Sequence, residues 1–154
     1  DEVSKQKKKD IPFDQMPIEK KVGALVYARQ EEEIYIALVH DVFGHWTLSK
    51  GGLNEGETED EGLGRVIKEE MGVDVVEEDN IGENEYVANH PEKGRHRKQV
   101  VYFLAKAEYT PLTLGSSGGL DDAKWFALKD ILDLNFYDDI LPIVTKAVKL
   151  LAEK

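Results

Sequence analysis

A mixed α/β sandwich is the fold class this sequence predicts, and two observations carry the prediction. Strand-type patterns and helical patterns alternate in the order strands, helix, strands, helix, without the regular repeat of a doubly wound sheet. The chain has 154 residues, 41% of them hydrophobic and 33% charged, enough for one domain to bury its own core without staples.

Residues 1–17 are polar, carry Lys5, Lys7, Lys8 and Lys9, and are interrupted by Pro12 and Pro17. They read as a flexible N-terminal arm ahead of a domain spanning 18–154. Lys21 to Tyr27 and Ile34 to His40 are rich in β-branched and aromatic residues and predict a strand pair, joined by the acidic turn Gln30-Glu31-Glu32-Glu33. Trp46-Thr47-Leu48 is a short strand running into a glycine turn at Gly51-Gly52. Thr58 to Met71 predicts a helix: Thr58 caps its start, Glu61 is placed as a capping-box partner, and Gly72 stops it. Gly62 and Gly64 inside that helix each cost about 1 kcal/mol relative to alanine. Either they permit close packing against the sheet or they weaken the helix without purpose. Asn84 to Ala88, Gln99 to Ala107 and Asp122 to Ala127 predict further strands, and Leu128 to Leu132 a short helical turn. Ile140 to Ala152 predicts an amphipathic helix with Ile140, Ile143, Val144, Ala147, Val148 and Leu151 on one stripe.

Composition excludes several function classes. A net charge of −11 opposes stable nucleic-acid binding and attraction to anionic membranes, and no apolar run approaches the ~20 residues of a membrane span. Cysteine is absent, which rules out disulfides and thiolate metal sites and suits a reducing compartment. The cytoplasm is the expected location. His40, His45, His90 and His96 show no metal-ligand spacing.

The chemistry concentrates between Gly51 and Val73. Residues three and four apart share a helix face, so positions 66, 69 and 70 converge. Glu69 and Glu70 offer the oxygen ligands that Mg²⁺ prefers, beside a glycine-rich turn suited to phosphates. The ordinary reading of such a pair is a solvated acidic helix face; the glycines in register favour a metal role. Arg95, His96, Arg97 and Lys98 make the one concentrated basic cluster outside the arm, and Lys98, entering a strand, is the member expected to face substrate.

With these residues in place, the chain resembles the Nudix hydrolases. Gly51, Glu57, Arg65, Ile67, Glu69, Glu70, Gly72 and Val73 fall in register with that family's signature, and Val66 stands where it has a glutamate. Within the family the likeness is greatest to asymmetric diadenosine tetraphosphate hydrolases and their bacterial and archaeal relatives. It is carried by Trp46 to Gly51, Glu85 to Asn89, Lys98 to Leu104 and Ala123 to Phe126.

The resemblance implies an α/β/α sandwich with a mixed β-sheet, and a Mg²⁺ (or Mn²⁺) cofactor held by Glu69 and Glu70 with help from the Lys50 carbonyl. It implies that Glu57 orients the helix or binds a second cation through water, and that Arg65 holds the geometry. Tyr86 and Lys98 would touch the phosphate chain, and Phe136 would stack on a nucleobase. A second family carboxylate corresponds to Gly119, with Asp121 and Asp122 as nearby substitutes. The expected activity is cleavage of a nucleoside diphosphate linked to another group, a dinucleoside polyphosphate first among them, slowed by Val66 and Gly119. The alternative is a catalytically silent domain that binds a nucleotide or a protein partner.

Overall fold

The computed structural model describes residues 11–92, 94–116 and 118–154. Among these residues seven strands form one sheet: β1 (Ile18–Gln30), β2 (Glu33–Asp41), β3 (Trp46–Thr47), β4 (Ser49–Gly52), β5 (Val76–His90), β6 (Gly94–Lys106) and β7 (Leu120–Ala127). Two helices, α1 (Glu59–Met71) and α2 (Leu141–Ala152), cover it. The spatial order is β3-β2-β1-β6-β5, with β4 paired to β1 and β7 to β2. β1 and β6 run parallel and the other pairs antiparallel, so the sheet is mixed, as expected.

Alternation along the central strand divides the core. Val22, Ala24 and Val26 of β1 face α1 and pack with Leu63, Val66, Ile67 and Met71. Leu25 and Tyr27 face the other way and pack with Ile143, Val144, Ala147 and Leu151 of α2. The result is an α/β/α sandwich in which the expected α2 stripe meets the sheet.

Several boundaries move. The glycine pair is not a turn: Gly51 and Gly52 lie in β4, paired with Val22 and Lys21 of β1. The turn falls later, where Gly56 takes a φ of 76°. A Cβ on Gly51 would stand 2.9 Å from Val66 Cγ1, so glycine there lets α1 approach the strand. β5 begins at Val76, well before Asn84, and carries two register shifts against β6. Residues 1–10 of the arm lie outside the described residues. Beyond them Phe13–Gln15 form a 3-10 turn, Met16 is buried, and the Arg97 N–H donates to the Pro17 carbonyl at 2.8 Å.

The two glycines inside α1 separate. A Cβ on Gly62 would meet Leu53 Cδ2 at 2.2 Å and Glu57 Oε1 at 3.1 Å, whereas Gly64 has nothing within 4 Å. Gly62→Ala is therefore expected to destabilise by about 1–3 kcal/mol through overpacking. Gly64→Ala is expected to stabilise by about 1 kcal/mol, the helix-propensity difference. Chemical denaturation of the two variants should show shifts of opposite sign.

Candidate active site

Helix α1 is placed by its own ends. The Thr58 hydroxyl accepts the Glu61 N–H at 3.2 Å, and Gly72 closes the helix with a φ of 75°. Nearly two turns in from the start, Arg65 ties helix to strand. Its Nε and Nη2 donate to the two Glu57 oxygens at 2.8 and 2.9 Å, Nη2 also donates to the Gly52 carbonyl at 2.6 Å, and Nη1 donates to Glu69 at 3.1 Å. This two-pronged geometry is one that a planar guanidinium makes and an ammonium does not. Arg65 has its pKa raised, chiefly by its hydrogen bonding to Glu57.

Glu57 is held in return. Hydrogen bonding to Arg65, then the Asn54 N–H, brings its carboxyl from an ordinary 4.5 down to about 2. A depressed folded pKa gives stability that is full above the unfolded pKa and is lost as pH falls through the folded one. Melting temperature should therefore fall between pH 4.5 and about 2, and Glu57→Gln should flatten that part of the profile. Circular-dichroism melts across that range measure it.

Beside this clamp opens a cavity of about 660 Å³, lined by Glu69, Glu70, Arg65 and Val66 from α1, and by Lys50, Gly51 and Gly52 from β4. Lys21 of β1 and the Ser116, Gly118, Gly119 and Leu120 segment complete it. Both predicted carboxylates thus reach one cavity. Glu57 does not line it, because Arg65 and Asn54 engage both of its oxygens.

Lys21 and Lys50 line the same cavity. Lys50 Nζ sits 4.8 Å from the Tyr86 ring centroid and donates to its hydroxyl at 3.4 Å. Tyr86 stands across from Lys98 in the β5–β6 ladder. Burial lowers the pKa of Lys21, with Lys98 the next cause, and burial also lowers that of Lys50. Lys98 lines neither this cavity nor the one beside it and stands 3.9 Å from Glu19. Lys21 is the member that sequence reasoning missed. The β1–β4 register sets it beside Gly52, a pairing that no local stretch of sequence displays.

A second cavity of about 430 Å³ adjoins the first through Thr47, Lys50 and Leu120, and is walled by Phe43, Tyr86 and Tyr137. Phe136 is placed otherwise than expected. It is 8% exposed within the α2-side core, bridges to Trp46, and lines neither cavity. Its neighbour Tyr137 takes the cavity-facing position, because successive residues of an extended segment point to opposite sides.

The NUDIX domain profile matches residues 18–146. The chain belongs to the NUDIX domain family. Solved structures agree on the fold. A Caenorhabditis elegans Ap4A hydrolase binary complex superposes with a TM-score of 0.67 at 23% identity, covering 88% of this chain and 99% of that one. The NUDIX domain of Shewanella oneidensis NrtR, solved with ADP ribose, gives 0.69 at 18% identity over 96% and 97%. A MutT protein from Methanosarcina mazei Go1 gives 0.63 at 20% identity over 91% and 99%. A search of curated proteins finds no match.

Against the NUDIX signature, Val66 is 2% exposed and packs on the sheet while its edge lines the cavity. Gly119 lines the same cavity with a φ of 91°. Asp121 and Asp122, the carboxylates nearest to Gly119 in sequence, lie off this cavity. Asp121 holds His40 Nδ1 at 2.6 Å, Asp122 accepts the Ala123 N–H at 2.8 Å, and neither lines the cavity.

Proposed function

We propose that this protein is a Nudix pyrophosphohydrolase acting on a nucleoside diphosphate linked to another group, with a dinucleoside polyphosphate its first candidate substrate and Val66 and Gly119 limiting its rate. One observation carries the reading: a single cavity is lined by Glu69 and Glu70 of α1 together with Lys21 of β1 and Lys50 of β4. That is the charge arrangement a cation–polyphosphate complex complements.

The donor set fits a hard divalent ion. Mg²⁺ is commonly held by one or two carboxylates together with substrate phosphates rather than by an all-protein cage. Glu69 and Glu70 match that pattern, and among the described residues no group of three acidic or histidine ligands forms a cage. The Lys50 carbonyl is the backbone oxygen proposed to assist them. When bound, Mg²⁺ or Mn²⁺ neutralises phosphate charge and lowers the pKa of water.

The protein's own residues bind and orient. Lys21 and Lys50 take up charge on the phosphate chain, Tyr86 fixes Lys50 through its hydroxyl and ring, and Lys98 adds to the field. Arg65 and Glu57 hold α1 against β4, which keeps Glu69 in place. Positioning and electrostatics supply most of such catalysis. Lys21→Ala should raise KM roughly tenfold with a smaller effect on kcat, since it removes binding common to ground and transition states. Steady-state kinetics on the best substrate reads this.

Product chromatography with Mg²⁺ or Mn²⁺ over a nucleotide panel tests the proposal. Hydrolysis that needs the metal and is lost in Glu70→Gln supports it. A second reading, a catalytically silent domain that binds a nucleotide or a protein partner, is favoured by Val66, an apolar side chain where a catalytic carboxylate belongs. Silence toward every nucleotide together with micromolar binding would establish that reading instead. For location, no helix among the described residues is long and apolar enough to cross a membrane, and the lack of cysteine suits the proposed cytoplasmic setting.

A further inference from the structure

We propose that the 430 Å³ cavity beside the phosphate groove holds a nucleobase and that its hydrogen-bonding groups select guanine over adenine. The inference rests on the nucleotide reading above and adds the identity of the base.

The walls suit a flat aromatic ring. Tyr86 and Tyr137 line the cavity with Ile140, and Phe43 stands at the rim, 79% exposed. Phe43 is held by the turn beneath it. Asp41 accepts the backbone N–H groups of Phe43 and His45, each at 3.0 Å, and also the Tyr137 hydroxyl. His45 stacks on Tyr137 with ring centroids 3.9 Å apart. An aromatic kept in water at a cavity mouth gains by covering a second ring. Asp41 is engaged by these contacts, so it holds the wall rather than reads the ligand.

An acceptor and a donor are left to read the ligand, Asp139 and Lys50. Asn84 donates its amide to Asp139 Oδ2 at 3.3 Å, which holds that carboxylate at the cavity. Asp139 is exposed and lines the cavity; its charge acts on Lys50, Tyr86, Tyr102 and Tyr137, which places it among them. Guanine presents two adjacent donors, N1–H and the N2 amine, and a carboxylate accepts both at once. Its O6 is an acceptor, and Lys50, which borders both cavities, is a donor. Adenine offers the N6 amine alone and turns the N1 lone pair toward the carboxylate, which repels it. A polar group left unmatched in such a site costs affinity.

Calorimetric titration with the α,β-methylene analogues of GDP, IDP and ADP tests this without turnover. The guanine analogue should bind on the order of tenfold tighter than the adenine analogue, a modest value for a paired base-edge contact. The hypoxanthine analogue, which lacks the N2 amine, should fall between them. Asp139→Asn should erase the preference with the melting temperature unchanged, since Asp139 is exposed. Equal binding of the three, tighter adenine binding, or a preference that survives Asp139→Asn overturns the base assignment and leaves the nucleotide reading standing. Absence of binding by all three overturns both.

Discussion

Val66→Glu is expected to raise hydrolysis of the best nucleotide substrate about 10²-fold, the lower end of what a positioned general base contributes. Val66 is almost wholly buried, but it borders the cavity one helical turn before Glu69 and Glu70. A glutamate there would add its carboxylate to theirs, giving a hard cation three carboxylates instead of two. The change also buries a charge, which is costly where no counter-ion is present. The variant should therefore melt lower than the parent without metal and recover more of that loss than the parent does when Mg²⁺ is added. Gly119→Glu is expected to contribute less. Nothing lies within 4 Å of a Cβ at 119, so space is available, but the φ of 91° belongs to a region where L side chains are strained by about 1–3 kcal/mol. Unchanged hydrolysis with every nucleotide, combined with a melting temperature that ignores Mg²⁺, would remove the catalytic centre from this cavity.

What was legible in the chain was local. Helix α1 announces itself through Thr58 and Gly72, whose roles depend on neighbours within four residues. The α2 stripe is read from spacing alone, and four of its six apolar members, Ile143, Val144, Ala147 and Leu151, are buried helix residues. The first half of β5 escaped because Glu77, Glu78 and Asp79 break hydrophobic alternation and two register shifts accompany them. An edge strand has water on one side and does not need that alternation. Gly51 and Gly52 look like a turn by composition, yet they are strand residues because β1 pairs with them, and at Gly51 Val66 fills the space a side chain would occupy. Lys21 carried no local sign of a role at the cavity. Likeness to the family puts Phe136 on a base, whereas the structure has it 8% exposed in the core and lines the cavity with Tyr137. Where a property depends on register between strands distant in sequence, no window along the chain contains it.

Arg65→Ala is expected to lower kcat about 10²-fold and to reduce the melting temperature, although Arg65 need not touch the reacting atoms. Its guanidinium joins three separate pieces: the Glu57 carboxylate ahead of the helix, the Gly52 carbonyl in β4, and Glu69 on the next turn of α1. Removing it leaves Glu57, with 12% of its side chain exposed, facing only the Asn54 N–H, and frees Glu69 to swing into solvent. Displacement of a ligand group by about 1 Å is enough for a loss of that size. Arg65→Lys sharpens the test, because lysine keeps the charge but cannot make two parallel bonds to Glu57 while reaching Gly52. If the fork geometry matters, the lysine variant should fall nearly as far as alanine, and its nucleotide affinity should change much less than its kcat. If charge alone matters, lysine should restore most of the activity, and Arg65 would then be only one more cation beside Lys21 and Lys50. Acid melts separate the structural part of the effect. Loss of the clamp returns the Glu57 carboxyl toward 4.5 from about 2, so either variant should flatten the same acid limb that Glu57→Gln flattens. A variant that loses activity while keeping that limb would show that Arg65 acts on the substrate and not through the helix.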